Sequence, residues 1–269
     1  MKSYLLKILF FNLLFISVPV FSAANLPFLS DFETGDFSEW DGGADATLIV
    51  TNEDSSRGQY SARAQMINGQ AADNYKDFYF GDHVSVNGQA ANDELWLQFD
   101  SKFDSNFDFG NNESIHKLAI INFTDENARR RYQMIVNLLL PGETFFIENL
   151  AWNADRSFDK TVDAYQQNTG DPVVMTRGQW DTVKMYLKLN TPGQRNGILR
   201  VWVNNQQIIE VTNSFMRESS NYNPNKLILS NYSRDSDLIG FQRWDNFYLA
   251  IEPPADTKRP KSPILNQVD

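Results

Sequence analysis

Leu95, Leu97, Phe99 and Phe103 alternate with Trp96, Gln98, Asp100 and Lys102 along LWLQFDSKF. The same alternation runs through VKMYLKLN, where Val183, Met185, Leu187 and Leu189 face away from Lys184, Tyr186, Lys188 and Asn190. LRVWVNN and RWDNFYLAI repeat it. A period of two puts one set of side chains against a core and the other in water, which predicts half-buried strands. Clusters of Gly, Pro and Asn (VNGQAAND, NTPGQRNG, NYNPN) separate the runs and predict turns. Beyond the N-terminal apolar stretch no long 3.6-residue repeat is present. Short strands punctuated by turns predict an all-β sandwich or jelly roll.

The first 24 residues follow a different pattern. Lys2 and Lys7 precede an apolar run from Ile8 to Phe21, and Ser22, Ala23 and Ala24 follow. This is the form of a secretory signal peptide, with cleavage expected near Ala24 and a secreted product, periplasmic or extracellular. Removing 24 residues from the 269 leaves 245. That is enough for one large β domain, expected over residues 25–253. The Pro- and charge-rich stretch EPPADTKRPKSP predicts an unfolded tail over 254–269. With no cysteine, nothing can be stapled by disulfides despite the export. The formal charge of −10 becomes −12 without Lys2 and Lys7. So acidic a protein repels nucleic acid and anionic membrane surfaces, and no later stretch is apolar enough to span a membrane. A monomer is expected.

Three segments carry a family resemblance. GQWDTVKMYLKLNTPGQRNGILRVWVNNQQI resembles a strand, an N-x-P-G turn, an N-G turn and a W-V-N strand of secreted polysaccharide lyases. LWLQFDSKFDSNFDFGNNESIHKLAIINF and LILSNYSRDSDLIGFQRWDNFYLAI are similar to flanking segments of the same enzymes. Together they span residues 94 to 252. The resemblance implies a concanavalin A-like jelly-roll β-sandwich, all-β, with two antiparallel sheets, one of them concave. It also implies cleavage of a uronic-acid polysaccharide by β-elimination, with an acidic polysaccharide as partner.

That reaction needs a group to neutralise the uronate carboxylate, a base for the proton at carbon 5 and an acid for the leaving oxygen. The resemblance maps Lys117 onto a family lysine and places an arginine of RRRYQMIVN in the cleft. Alternation puts Arg131, Gln133, Ile135 and Asn137 on one strand face. The family's tyrosine pair on the next strand is missing, because ETFFIENLAW offers only Phe145, Phe146 and Ile147 there. Replacement acids and bases are His116, Tyr186 and Tyr248, with His83 the only other histidine. Lys184 and Lys188 flank Tyr186 and are candidate substrate ligands with Asn137. Each has a plainer reading as a solvated strand residue. Trp96, Trp152 and Tyr165 are candidates to stack on sugar rings, whereas Trp180 and Trp202 are expected to belong to the sandwich itself.

The stretch SDFETGDFSEWDGG resembles the opening of calcium-containing glycan-binding jelly rolls. That implies a structural calcium held by Glu33 and Asp245, with Asp31 as a further ligand; the alternative is a plain acidic turn. The function classes left open are a lyase, a noncatalytic carbohydrate-binding sandwich and a structural or adhesive surface protein. The lack of cysteine and of G-x-S-x-G argues against a serine or cysteine hydrolase. No strand shows the closely spaced alternating acids of a retaining glycosidase.

Overall fold

The computed structural model describes residues 26–255, apart from 45–46, 68–73, 81–91, 111–112, 126, 141, 156 and 234–236. The signal peptide, all but the first two residues of the expected tail, and His83 lie outside the described residues.

All the regular structure described is β. The strands are β1 (Phe28–Ser30), β2 (Gly42–Ala44), β3 (Leu48–Thr51), β4 (Ser61–Met66), β5 (Tyr75–Tyr79), β6 (Glu94–Phe103), β7 (Ser114–Thr124) and β8 (Arg130–Leu140). They continue with β9 (Thr144–Trp152), β10 (Phe158–Gln166), β11 (Asp181–Lys188), β12 (Gly197–Val203), β13 (Gln206–Ser214), β14 (Asn223–Ser230) and β15 (Gly240–Ala250). Two antiparallel sheets form, in the orders β13-β12-β11-β6-β15-β4-β3, with β1 added beside β15, and β10-β9-β8-β7-β14-β5-β2. Sequence neighbours pair as hairpins at β3–β4, β7–β8, β8–β9, β9–β10, β11–β12 and β12–β13. The β12–β13 turn places Asn204 and Asn205 at φ +50 and +69, the left-handed pair whose twist suits a two-residue hairpin.

The alternation decides which side of each strand meets the core. Leu95, Leu97, Phe99 and Phe103 of β6 and Val183, Met185 and Leu187 of β11 are buried between the sheets. They meet Leu118, Ile121 and Phe123 of β7 and Met134, Val136 and Leu138 of β8. Phenylalanines fill the centre, with Phe99 and Phe247 stacked at 5.3 Å and Phe103 against Phe107 at 4.6 Å. Trp244 is fully buried, and its indole Nε1 donates to the Leu118 carbonyl at 3.2 Å, so the one polar atom of the ring is paired.

Candidate functional site

Two rows of side chains cross the face of the second sheet that points away from the core. Cross-strand registers align Leu150, Gln133, Asn122, Lys226 and Tyr79 on β9, β8, β7, β14 and β5. One pleat further along they align Glu148, Ile135, Ile120, Ile228 and Asp77. Past Leu150, the first row is a line of hydrogen-bonding groups. The second is aliphatic, with a carboxylate at each end; Ile135, Ile120, Ile228 and Leu150 pack into a small cluster of their own under Tyr75 and Trp152.

The polar row opens into a cavity of about 690 Å³ walled by Asp41, Asp77, Tyr79, Asn122, Arg130 and Lys226. Gly42 and Gly43 of β2 form its rim. At Gly43, φ is +141 and a Cβ would lie 2.0 Å from the Tyr75 carbonyl oxygen, so only glycine lets β2 approach β5 this closely. Lys226 Nζ pairs with Asp77 Oδ2 at 2.7 Å, and Asp41 Oδ2 accepts the Tyr79 amide at 2.7 Å. Burial, and then the carboxylates of Asp77 and Asp41, push the Tyr79 hydroxyl above its usual pKa, so the phenol stays protonated at neutral pH. Gln133 Nε2 donates to Asn122 Oδ1 at 2.8 Å. Gln133 Oε1, Asn137 Oδ1, Glu148 Oε2 and Trp152 Nε1 are buried along this face with no hydrogen-bond partner. Such orphaned polar atoms are uncommon in a folded interior, and here they share one surface.

The arginine of this wall is Arg130 and not Arg131. Thr124 pairs with Arg130 while Phe123 pairs with Tyr132, so Arg131 is the extra residue of a β-bulge. Arg130 lies over Trp152 at 3.5 Å from the ring centroid. Arg131 lies against Tyr222 at 5.0 Å, and Tyr222 in turn contacts core-facing Tyr132. Gln133, Ile135 and Asn137 keep the shared face that alternation predicts. Lys117 pairs with Asn137 at the other end of the same face, against Tyr232. At about 3.4 Å per residue, Asn137 stands roughly 20 Å along β8 from Arg130. Gln133 meets the cavity only through its hydrogen bond to Asn122, and Lys117 and Asn137 stand away from it.

Three other expectations are corrected. His116 is fully buried in the core, edge-on to Phe103 at 5.4 Å, with Nε2 2.7 Å from Gln242 Oε1. Burial pushes its pKa down to about 4, so it is a neutral packing residue out of reach of substrate. Tyr186, Lys184 and Lys188 lie on β11 in the other sheet, facing outward, where the Tyr186 hydroxyl donates to Glu94 at 2.9 Å. Trp202, expected in the sandwich, faces outward beside them and stacks on Trp96.

The carboxylates expected to hold calcium accept hydrogen bonds from backbone amides. Glu33 Oε1 accepts the amides of Gln59 and Tyr60, and Asp245 Oδ2 accepts those of Ser56 and Arg57. Asp31 Oδ1 accepts the Glu33 amide at 3.2 Å. The carboxylates fasten the 56–60 loop instead of converging. Among the described residues no group of three or more His, Cys, Asp or Glu is placed to hold a metal ion.

Sequence reasoning missed Arg130, Asn122, Lys226, Tyr79 and Asp77. For the last two a signal was present: Tyr75, Asp77 and Tyr79 alternate with Phe78 and Phe80.

The family description "Polysaccharide lyase" matches residues 32–225. No curated protein sequence matches the chain. Among solved structures, an endo-β-1,4-glucuronan lyase from the fungus Trichoderma reesei superposes with a TM-score of 0.59 at 10% identity, covering 84% of this chain and 95% of its own. An alginate lyase in complex with alginate trisaccharide superposes at 0.53 with 13% identity, over 78% of this chain and 87% of its own. An alginate lyase from Aplysia kurodai gives 0.51 at 13% identity, over 78% and 88%. At these identities the likeness is one of fold.

Proposed function

The chain belongs to the polysaccharide lyase family, and from that premise we propose that it cleaves a uronic-acid polysaccharide by β-elimination in the cavity beside Arg130. The observation that carries this reading is the joining of Arg130 to Asn122, Lys226, Tyr79 and Asp77 around one open volume, with Gln133 behind Asn122. A uronate carboxylate set against the Arg130 guanidinium and the Asn122 amide, which Gln133 holds in place, is neutralised, which lowers the cost of carbanion character at carbon 5. The carbon 5 proton passes to a carboxylate of the wall; Asp77, which lines the cavity beside Tyr79, is the base we assign. The electron pair released forms the double bond to carbon 4, the bond from carbon 4 to the glycosidic oxygen breaks, and that oxygen takes the Tyr79 proton. A phenol whose pKa is raised suits the donor role. Lys226 holds Asp77 in place through its ion pair.

The test is incubation with alginate, glucuronan, heparin and pectate while following the ultraviolet absorbance of the unsaturated uronate end. One polymer should give a rising signal, and Tyr79→Phe should cut the rate by about 10²–10⁴ with the melting temperature nearly unchanged. A second reading, glycan binding without cleavage, draws on the aliphatic row Ile135–Ile120–Ile228 at mid-face and on phenylalanines where the family resemblance places tyrosines. Retention on an affinity gel with no unsaturated ends from any of the four polymers would establish it instead.

A further inference from the structure

The outward face of the first sheet carries an aromatic ridge that the cavity does not use. Registers line up Trp202, Lys184, Gln98, Tyr248 and Leu29 across β12, β11, β6, β15 and β1. Arg200, Tyr186 and Trp96 form the adjoining row. Trp96 lies 4.7 Å from Tyr186 and stacks on Trp202 at 5.8 Å, so rings from three neighbouring strands make one surface. Both indoles are half-buried, and Leu29 at the far end is 61% exposed. Beyond the rings the row runs into a depression of about 270 Å³ that includes Gln98 and Tyr248. At ~4.8 Å between strands, the row from Trp202 to Leu29 spans roughly 19 Å, longer than a single sugar ring.

The core does not require these rings, because Val183, Met185 and Leu187 already fill the inner side of β11. An apolar patch rimmed by polar groups on a water-facing sheet is the mark of a binding surface. The rings' negative faces attract the C–H edges of a pyranose, and the Gln98 amide can bond its hydroxyls. Charge selects the kind of glycan. The chain as a whole carries −10. Yet Lys184 sits among the rings, 5.5 Å over Trp202, with no carboxylate partner among the described residues.

We propose that this ridge is a second polysaccharide-binding site, which holds an acidic polymer on the back of the sandwich while another stretch of it occupies the cavity. The identity of the polymer as the enzyme's substrate rests on the lyase reading; the ridge's capacity to bind it does not. Two sites on one long chain raise apparent affinity without a new contact at the cavity, whereas a short oligosaccharide cannot bridge them.

The experiment is affinity electrophoresis of the full-length mature protein in gels containing sodium alginate, glucuronan or the neutral polymer hydroxyethyl cellulose. In an Arg130→Ala background, where the cavity has lost its arginine, an acidic gel should still retard the protein. Adding Trp96→Ala and Trp202→Ala should weaken that retardation about tenfold. Lys184→Glu, a surface change that does not touch the core, should weaken retardation by the acidic polymers only. On tetrasaccharide substrate, Trp96→Ala with Trp202→Ala should leave kcat/KM within about twofold, while KM for polymer rises. If no product forms from any polymer but retardation still depends on Trp96 and Lys184, the lyase reading fails and the ridge site stands. Full retardation of both the folded Trp96→Ala, Trp202→Ala protein and Lys184→Glu would overturn the proposal, as would the absence of retardation in both acidic gels.

Discussion

Asp245 and Asp100 face each other across the β15–β6 ladder, and Ser56 joins them: its amide donates to Asp245 Oδ2 at 2.8 Å and its hydroxyl to Asp100 Oδ2 at 2.5 Å. Arg57 and Asn246 give Asp245 further backbone donors, and Asn246 Nδ2 and the Thr182 hydroxyl reach Asp100. Two acids and their donors thus tie a surface loop to the centre of the first sheet.

This arrangement has a pH signature. Burial pushes Asp245 up to about 8, with the Asp100 charge adding to it and the three amides opposing it. The folded state therefore holds a proton that the unfolded chain releases near pH 4. Stability from this group is complete below pH 4 and is lost as pH rises through 8, at on the order of 1 kcal/mol per pH unit between. Urea midpoints should fall between pH 5 and 8.5 in the wild type. Asp245→Asn, which keeps an acceptor and cannot ionise, should flatten that slope.

His116 contributes the opposite slope. Its ring is neutral when folded, with a pKa of about 4, so its contribution is whole above pH 6.5 and fades as pH falls through 4. His116→Ala should cost about 2–4 kcal/mol by emptying a packed position beside Phe103. Product formation per folded molecule should stay unchanged. A large loss of kcat with stability intact would return His116 to the catalytic candidates.

Arg130 and Arg131 differ by one position and should differ sharply in effect. Arg130→Ala should lower turnover by about 10²–10³, the usual penalty for removing one donor to a developing negative charge. Arg131→Ala, at the bulge against Tyr222, should change it by less than about threefold. Steady-state rates on the polymer that responds in the absorbance assay decide the matter.

Added calcium should leave the thermal midpoint unmoved. A ligand stabilises only by binding the folded state, and the Glu33 and Asp245 oxygens are already engaged by four amides of the 56–60 loop. Melting curves with millimolar calcium or with a chelator test this. An upward shift in calcium that Asp245→Ala abolishes would reverse it.

The strands and the core were legible because both rest on a period of two, and β6 and β11 bury the residues their alternation selects. Alternation separates two faces of a strand but does not say which sheet the strand joins. The Lys184–Tyr186–Lys188 face therefore looked like a site wall and belongs to the opposite sheet. It also counts residues, and a bulge inserts one. The bulge that displaces Arg131 follows a tight turn in which Asp125 Oδ1 accepts the amides of Asn127 and Arg129, and Ala128 adopts φ +57. No hydropathy pattern encodes that. His116 misled for a simpler reason: a histidine among apolar neighbours reads as reactive until its depth is known.

The three consecutive arginines 129–131 lead into β8, whose parity is set by that single bulge. If an insertion or deletion in the turn moved the register by one, a different arginine would take the place over Trp152, and the cavity would keep its cation. The redundancy makes the charge of the wall robust to the length changes that loops accumulate most readily. The cost falls on the rest of β8: the same slip would turn Gln133 into the core and Met134 and Val136 out of it.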